Sequence, residues 1–294
     1  PQTPPASAPA PASGATSGTQ AATPATSGFV IANVAGKPID ASELFAQWMH
    51  HASADARDEL DHLVLTRLVA AEAQRIGLVI PAADVERKYT ESVAELEKDL
   101  QKRRPGVVLD QYVDQALGLD PYTYRERMRA DALNQLLAER VARAHVLTSE
   151  HALLRLIVVK TEAALKQVQD ALAAGEAFDA VARRLSTDPS AKDGGRVPPV
   201  LRVDTVMGKL AFSTPVGGVS DPLYTQGAWL IARVESRPKP LAGTTWSELQ
   251  AGVEASLDAR GIEELEFSQW RSAMFQRYKI DVSPFMRLAG EPVR

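Results

Sequence analysis

The stretch FDAVARRLSTDPSAKDGG, residues 178–195, is the most informative part of the sequence for the fold. Its first eight residues carry apolar side chains at a spacing typical of one face of a short helix, at Phe178, Val181, Ala182 and Leu185. A polar run and the pair Gly194-Gly195 follow, which is a composition typical of a loop that closes in a turn. The stretch therefore predicts a short helix that leads into an ordered polar loop.

The segments on either side of this stretch alternate between strands and helices. Before it, residues 153–159 form a continuous apolar run typical of a buried strand, and a helix is predicted from about 161 to 173. After it, the patterns predict a strand, a short helix and a pair of strands, at residues 197–203, 205–212, 223–225 and 228–234. The order β-α-α-β-α-β-β predicts an α+β domain over residues 149–238.

The regions that flank this domain are predicted to be helical. Residues 29–148 begin with a short strand at 29–34 and then show helical periodicity almost throughout. Residues 239–294 contain one helical segment, which begins after Thr245 and can break at Gly261. Because a single segment has no core of its own, we expect it to pack on the N-terminal helices. The sequence thus predicts a split α-helical domain into which the α+β domain is inserted.

The first 28 residues differ in composition from the rest of the chain. They contain no Lys, Arg, Asp or Glu and consist almost wholly of Pro, Ala, Ser, Thr and Gly. Such a segment cannot bury enough apolar surface to offset the entropy lost on ordering. We therefore expect residues 1–28 to be a disordered linker, either a tether to an N-terminal membrane anchor outside this sequence or a passive tail.

The overall composition excludes several kinds of protein. The chain has 294 residues and no cysteine, which excludes disulfides, thiol catalysis and cysteine-ligated metals. The net charge of −4 argues against a nucleic-acid partner, since phosphate binding needs a basic surface. No apolar run approaches the roughly 20 residues of a membrane-spanning helix. Five scattered histidines argue against a metal site, so we expect neither a metal nor a cofactor.

Three parts of the chain together resemble a known family. Residues 178–188 and 190–195 resemble the central signature of the parvulin-type peptidyl-prolyl isomerases, and residues 217–222 and 225–231 resemble its later part. Residues 33–39 resemble the opening of extracytoplasmic folding factors of the SurA, PrsA and PpiD type. Those proteins also place a parvulin domain between N-terminal helices and a returning C-terminal helix.

This resemblance implies a function in protein folding. The implied protein is a periplasmic or otherwise extracytoplasmic chaperone that binds unfolded or secreted polypeptides, with a domain that isomerises X–Pro bonds. Isomerisation crosses a barrier of roughly 18–20 kcal/mol without breaking a bond. An isomerase must therefore hold the proline ring in an apolar pocket and stabilise the twisted amide electrostatically.

The resemblance also implies a set of site residues. Asp188 matches the central Cys-or-Asp position of the catalytic network and Thr225 matches one of its hydroxyl groups. The positions implied to bind substrate are Val197, Met207, Phe212 and Trp229. Alternatively, Asp188 caps the turn that follows it, while Met207, Phe212 and Trp229 are ordinary core residues.

The two histidines of the parvulin network are replaced in this chain. The first histidine position falls on Arg155 or Leu156, depending on the register, and we expect Trp229 at the second. Two prolines, Pro198 and Pro199, also replace residues of the usual turn after the glycine pair. These departures leave open an alternative to an isomerase, in which the chain is a catalytically inactive chaperone or the dedicated binding partner of one protein.

Overall fold

The computed structural model describes residues 29–203 and 205–289, so the predicted linker at 1–28 lies outside the described part. The described residues form two compact units. One comprises residues 29–58 and 282–289, and the other comprises residues 59–281. Each unit has its own secondary structure.

The smaller unit contains a β-hairpin followed by a helix. Strands β1 (Val30–Val34) and β2 (Lys37–Asp40) pair in antiparallel fashion, and α1 (Ala41–His51) follows directly. The turn between the strands has positive φ at Ala35 and Gly36. The sequence predicted the first strand and the turn but not the second strand. The C-terminal helix Ser283–Leu288 also belongs to this unit.

The N-terminal helices follow the boundaries suggested by their capping residues. They are α2 (Ser53–Ile76), α3 (Ala82–Arg103), α4 (Leu109–Leu117) and α5 (Pro121–Thr148). At the start of α5, the Asp120 carboxylate accepts a hydrogen bond of 2.7 Å from the Thr123 N–H. Pro121 occupies the first helical position, where its missing N–H costs nothing.

The inserted domain has the predicted order of elements. Its elements are β3 (His151–Val159), α6 (Glu162–Ala173), α7 (Phe178–Leu185), β4 (Val200–Leu201), α8 (Val206–Ser213), β5 (Leu223–Thr225) and β6 (Ala228–Ser236). The strands form one antiparallel sheet in the order β4-β3-β6-β5. Strand β4 is only two residues long, shorter than predicted, because Pro198 and Pro199 have no N–H to donate to a ladder.

Each face of this sheet packs on different helices. On one face, Ile157 and Val159 of β3 and Ile231 of β6 pack with residues of α6 and α7. On the opposite face, Leu154 and Leu156 of β3 pack with residues of α8, and we call this side the α8 face. Both faces are therefore apolar, which explains why the β3 sequence is hydrophobic without alternation.

The C-terminal segment returns to the N-terminal helices as two helices. These are α9 (Trp246–Ala259) and α10 (Glu264–Tyr278), and the chain is not helical between them, around Gly261. Their core residues are shared with α2 and α5 in one apolar cluster, which includes Leu68, Val69, Leu136, Val141, Leu249, Val253, Trp270 and Met274. The predicted fold class, a split helical region with an inserted α+β domain, is thereby confirmed. None of the described helices is long and apolar enough to cross a membrane.

A buried ion pair joins α5, α9 and α10. The Arg143 Nε donates to Glu266 Oε1 at 2.6 Å, and the two side chains are only 3% and 1% exposed. The remaining donors of Arg143 bind backbone carbonyls at the end of α9, at Ser256, Arg260 and Gly261. One guanidinium thus satisfies both the last carbonyls of α9 and the buried carboxylate of α10.

Candidate functional site

The signature stretch completes the open edge of β3. The Leu156 N–H donates to the Gly195 carbonyl at 2.7 Å, and the Thr187 N–H donates to the Val158 carbonyl at 2.8 Å. The Ser186 hydroxyl accepts from the Val158 N–H at 3.1 Å. The backbone groups of β3 beyond its short pairing with β4 are therefore satisfied by the loop, which explains why the loop is ordered.

A groove of about 460 Å³ lies on the α8 face of the sheet. Its inserted-domain side carries apolar and polar residues, at Val203, Thr205, Val206, Met207, Thr225, Gln226 and Leu230. Its other side is formed by α10, at Leu265, Ser268, Gln269, Ser272, Ala273 and Gln276. The groove therefore has two walls from parts of the chain that lie far apart in sequence.

Helix α10 is held against the sheet by one glutamine and one leucine. The Gln269 Oε1 accepts from the Leu201 N–H at 2.8 Å, and its Nε2 donates to the Pro199 carbonyl at 3.0 Å. Leu265 packs on the apolar cluster of the α8 face. Because Gln269 pairs with a donor and an acceptor of the β4 strand region, it sets the position of α10 along the strand edge.

Asp188 caps the turn that follows it, as one of the two interpretations expects. Its Oδ1 accepts from the Ser190 N–H at 2.9 Å at the start of the 3₁₀ turn Pro189–Asp193. Its own N–H donates to the Ser186 hydroxyl at 3.2 Å. Asp188 is half-buried and does not belong to the described groove lining. The observed contacts account for an aspartate here on structural grounds, and a catalytic role stays a prediction.

Of the other predicted residues, Thr225 and Met207 lie together in the groove lining. Val197 is buried in the apolar cluster of the α8 face, beneath the surface. Phe212 also packs on this cluster, and its ring centroid lies 5.2 Å and 5.1 Å from the guanidinium carbons of Arg202 and Arg237. Phe212 and Val197 are outside the described groove lining, and both pack in the same apolar cluster as Met207 and Leu230.

Trp229, which was predicted to bind substrate, lies on the face of the sheet opposite to the groove, and its assignment to the second histidine position stays a prediction. Its side chain packs with the α6 and α7 cluster, and its ring centroid is 4.9 Å from that of Tyr224. The next residue, Leu230, points to the α8 face and lines the groove with Thr225. Because side chains alternate along a strand, only Leu230 of the two lies on the same face of the sheet as Thr225.

The two β3 residues predicted for the first histidine position, Arg155 and Leu156, have different surroundings. Leu156 is buried in the cluster of the α8 face, whereas the Arg155 guanidinium donates to the Gly194 carbonyl at 2.9 Å and pairs with Glu235. Arg155 therefore stabilises the turn of the signature stretch. Leu156 and Leu230 both lie on the α8 face.

The chemistry open to the groove is binding by apolar contact and neutral hydrogen bonds. None of the described lining residues carries a charge or an imidazole. In the described part of the chain, no three His, Asp or Glu side chains lie close enough together to hold a metal ion. The lining therefore suits an uncharged ligand with apolar side chains.

Reasoning from the sequence missed Leu230 and the whole α10 wall. A signal for the wall was present, since Ser268, Ser272 and Gln276 recur every four residues and so share one helix face. That spacing is equally typical of a helix face exposed to solvent. Only the packing of α10 on the inserted domain distinguishes a groove wall from such an exposed face.

Comparison with known proteins agrees with this architecture. Residues 142–244 match the profile of the PPIC-type PPIase domain family. Two curated relatives are Foldase protein PrsA from Caldanaerobacter subterraneus subsp. tengcongensis, 26% identical over 60% of this chain, and its namesake from Bacillus subtilis, 36% identical over 28%. The matched segments span 55% and 30% of the lengths of these relatives.

The chain also resembles solved structures of the same group. The crystal structure of PrsA from Bacillus subtilis aligns with 86% of this chain and 94% of its own, with 19% identity and a TM-score of 0.33. The signature stretch, the order of the strands and the matched profile coincide in one region. Residues 142–244 of this chain therefore belong to the parvulin, or PPIC-type peptidyl-prolyl isomerase, domain family, within a chain that is similar to the PrsA foldases.

Proposed function

We propose that this protein is an extracytoplasmic folding factor that binds unfolded, proline-containing polypeptides in the groove between α8, β6 and α10. The observation that carries the proposal is the open, uncharged groove on the α8 face of a parvulin domain, lined by Met207, Thr225 and Leu230. Its similarity to PrsA foldases supports the same class of client. The extracytoplasmic location rests on that similarity.

The proposed mechanism is binding of an extended client segment by desolvation of its apolar side chains. Burying apolar area in a groove of this size contributes about 25 cal/mol per Å² to binding before the entropic cost of ordering the segment is subtracted. The hydroxyl and amide groups at the rim provide hydrogen bonds to the client backbone. Binding that shields apolar segments from one another slows aggregation, which is the activity expected of a chaperone.

A charged residue in the groove should abolish this activity. We expect the full chain to slow the aggregation of reduced α-lactalbumin, and we expect Met207→Glu to remove most of this effect. An unpaired carboxylate on an apolar floor opposes burial of an apolar client. Light scattering measures the aggregation rate, and Val216→Glu is the matched control, because Val216 is exposed and lies outside the groove lining.

Equal loss of activity in the two glutamate variants would show that the groove is not the client site. Circular dichroism of both variants is needed alongside, since a Met207→Glu variant that fails to fold gives no information on binding. In that event Thr225→Glu at the groove rim replaces it.

Isomerisation of X–Pro bonds is the second candidate activity, and we expect it to be undetectable. The described groove lining contains no imidazole and no carboxylate, so only neutral hydroxyl and amide groups are available to stabilise the twisted amide. Uncatalysed isomerisation of an X–Pro peptide takes roughly tens to hundreds of seconds at 25 °C. NMR exchange spectroscopy of an Ala-Pro peptide should give this rate with and without the protein.

A clear acceleration would instead support an isomerase. Asp188→Ala then separates two origins of the rate, because loss of the acceleration would assign catalysis to Asp188. Retention of the acceleration would assign it to binding by the apolar groove alone.

A further inference from the structure

Helix α10 presents a row of hydrogen-bond acceptors to the groove. The Ser268 hydroxyl donates its proton to the Leu265 carbonyl at 2.9 Å, and the Ser272 hydroxyl donates to the Ser268 carbonyl at 2.9 Å. Each hydroxyl has one proton, so both oxygens retain only lone pairs for a ligand. Gln276 follows at the same spacing with an amide that can accept and donate.

This acceptor row faces an apolar wall across the groove. Met207 and Leu230 lie on the inserted-domain side, while Ser272 and Gln276 are exposed on the α10 side. An extended polypeptide directs every second side chain to the same face, and its backbone N–H groups point sideways at regular intervals. Apolar side chains would contact the inserted domain, and backbone N–H groups would donate to α10.

We propose that α10 binds the backbone of the client, and that the occupant of the groove is an uncharged, extended polypeptide segment whose N–H groups donate to Ser268, Ser272 and Gln276. This inference rests on the proposed function and adds to it the groups that recognise the client backbone. The uncharged lining argues for an uncharged occupant, because a charged side chain would lose its hydration without gaining a partner there.

The probe is a fluorescein-labelled decapeptide of Ala, Leu, Thr and Pro, compared with a second peptide in which Glu replaces each Thr. We measure fluorescence anisotropy with the full chain. Ser272→Trp fills the groove from the α10 side and should weaken binding of the neutral peptide by at least about tenfold. Arg271→Trp, at the neighbouring exposed position outside the groove lining, is the matched control and should leave the affinity unchanged.

Gln276→Trp is a second filling variant in case Ser272→Trp does not fold. The inference is overturned if the full chain binds the neutral peptide and both filling variants bind it equally well, a result that leaves the proposed function intact. It is also overturned if the Glu-containing peptide binds as tightly as the neutral one. If the unmodified chain binds neither peptide and does not slow aggregation, the proposed function itself fails, and this inference fails with it.

Discussion

Replacing Arg143 by methionine is expected to lower the free energy of unfolding by about 3–5 kcal/mol. The substitution leaves the Glu266 carboxylate buried without a counter-ion, since Glu266 is 1% exposed. It also removes the donors to the carbonyls of Ser256, Arg260 and Gly261 at the end of α9. A urea titration followed by circular dichroism measures the change.

Arg140→Met is the matched control for this prediction. Arg140 lies one turn earlier on α5 and pairs with Glu254 of α9, where the carboxylate side chain is 33% exposed. Water can solvate Glu254 after the substitution, so we expect a loss of only about 1 kcal/mol. Similar losses in the two variants would contradict the view that burial of Glu266 makes Arg143 essential.

A double variant, Arg143→Met with Glu266→Leu, separates the charge from the other contacts. Removing both charges should restore part of the lost stability, because no unpaired charge stays buried. Full recovery is not expected, since the α9 carbonyls still lack donors. Because Glu266 is adjacent to Leu265 on α10, the single variant should also weaken client binding through displacement of that wall.

Replacing Gly195 by alanine is expected to cost about 3–5 kcal/mol. Gly195 has a φ of +77°, and an added Cβ would overlap the Leu156 carbonyl oxygen and lie 3.1 Å from the Ala182 Cβ. The loop would have to move away from β3, which breaks the 2.7 Å hydrogen bond from the Leu156 N–H to the Gly195 carbonyl. The same urea titration measures the loss.

Gly175→Ala controls for the backbone conformation alone. Gly175 follows α6 with a φ of +86°, and an added Cβ would meet no atom within 4 Å. Only the cost of the left-handed conformation applies there, about 1–2 kcal/mol. If both alanine variants lose the same stability, the close approach of the signature loop to β3 is not what requires glycine at 195.

The order of elements follows from local chemistry and could be predicted. Three helices begin directly after a residue that is typical of a helix N-cap. The side chain of such a residue accepts hydrogen bonds from the first free N–H groups of the helix, or lies beside them. These residues are Asp120, Thr161 and Thr245. The prolines at 198 and 199 shorten β4 for an equally local reason. Such signals act within a few residues, so they are visible in the linear sequence.

Local sequence signals could not predict which face of each strand carries the groove. Strand β3 is apolar on both sides because helices cover both, so its sequence has no alternation to distinguish Arg155 from Leu156. Trp229 and Leu230 of β6 are likewise both apolar. Their assignment required the pairing of the strands and the position of α8.

The residues whose substitution is predicted to lower stability most make contacts between distant parts of the chain. Arg143 and Glu266 are 123 positions apart, and nothing near either residue indicates that it is buried. The groove likewise combines α10 with β5 and β6. The sequence alone therefore determined the parvulin signature and the order of the elements. The tertiary structure decided which side chains face the groove and which helix encloses it, because burial and facing depend on long-range packing that local sequence does not encode.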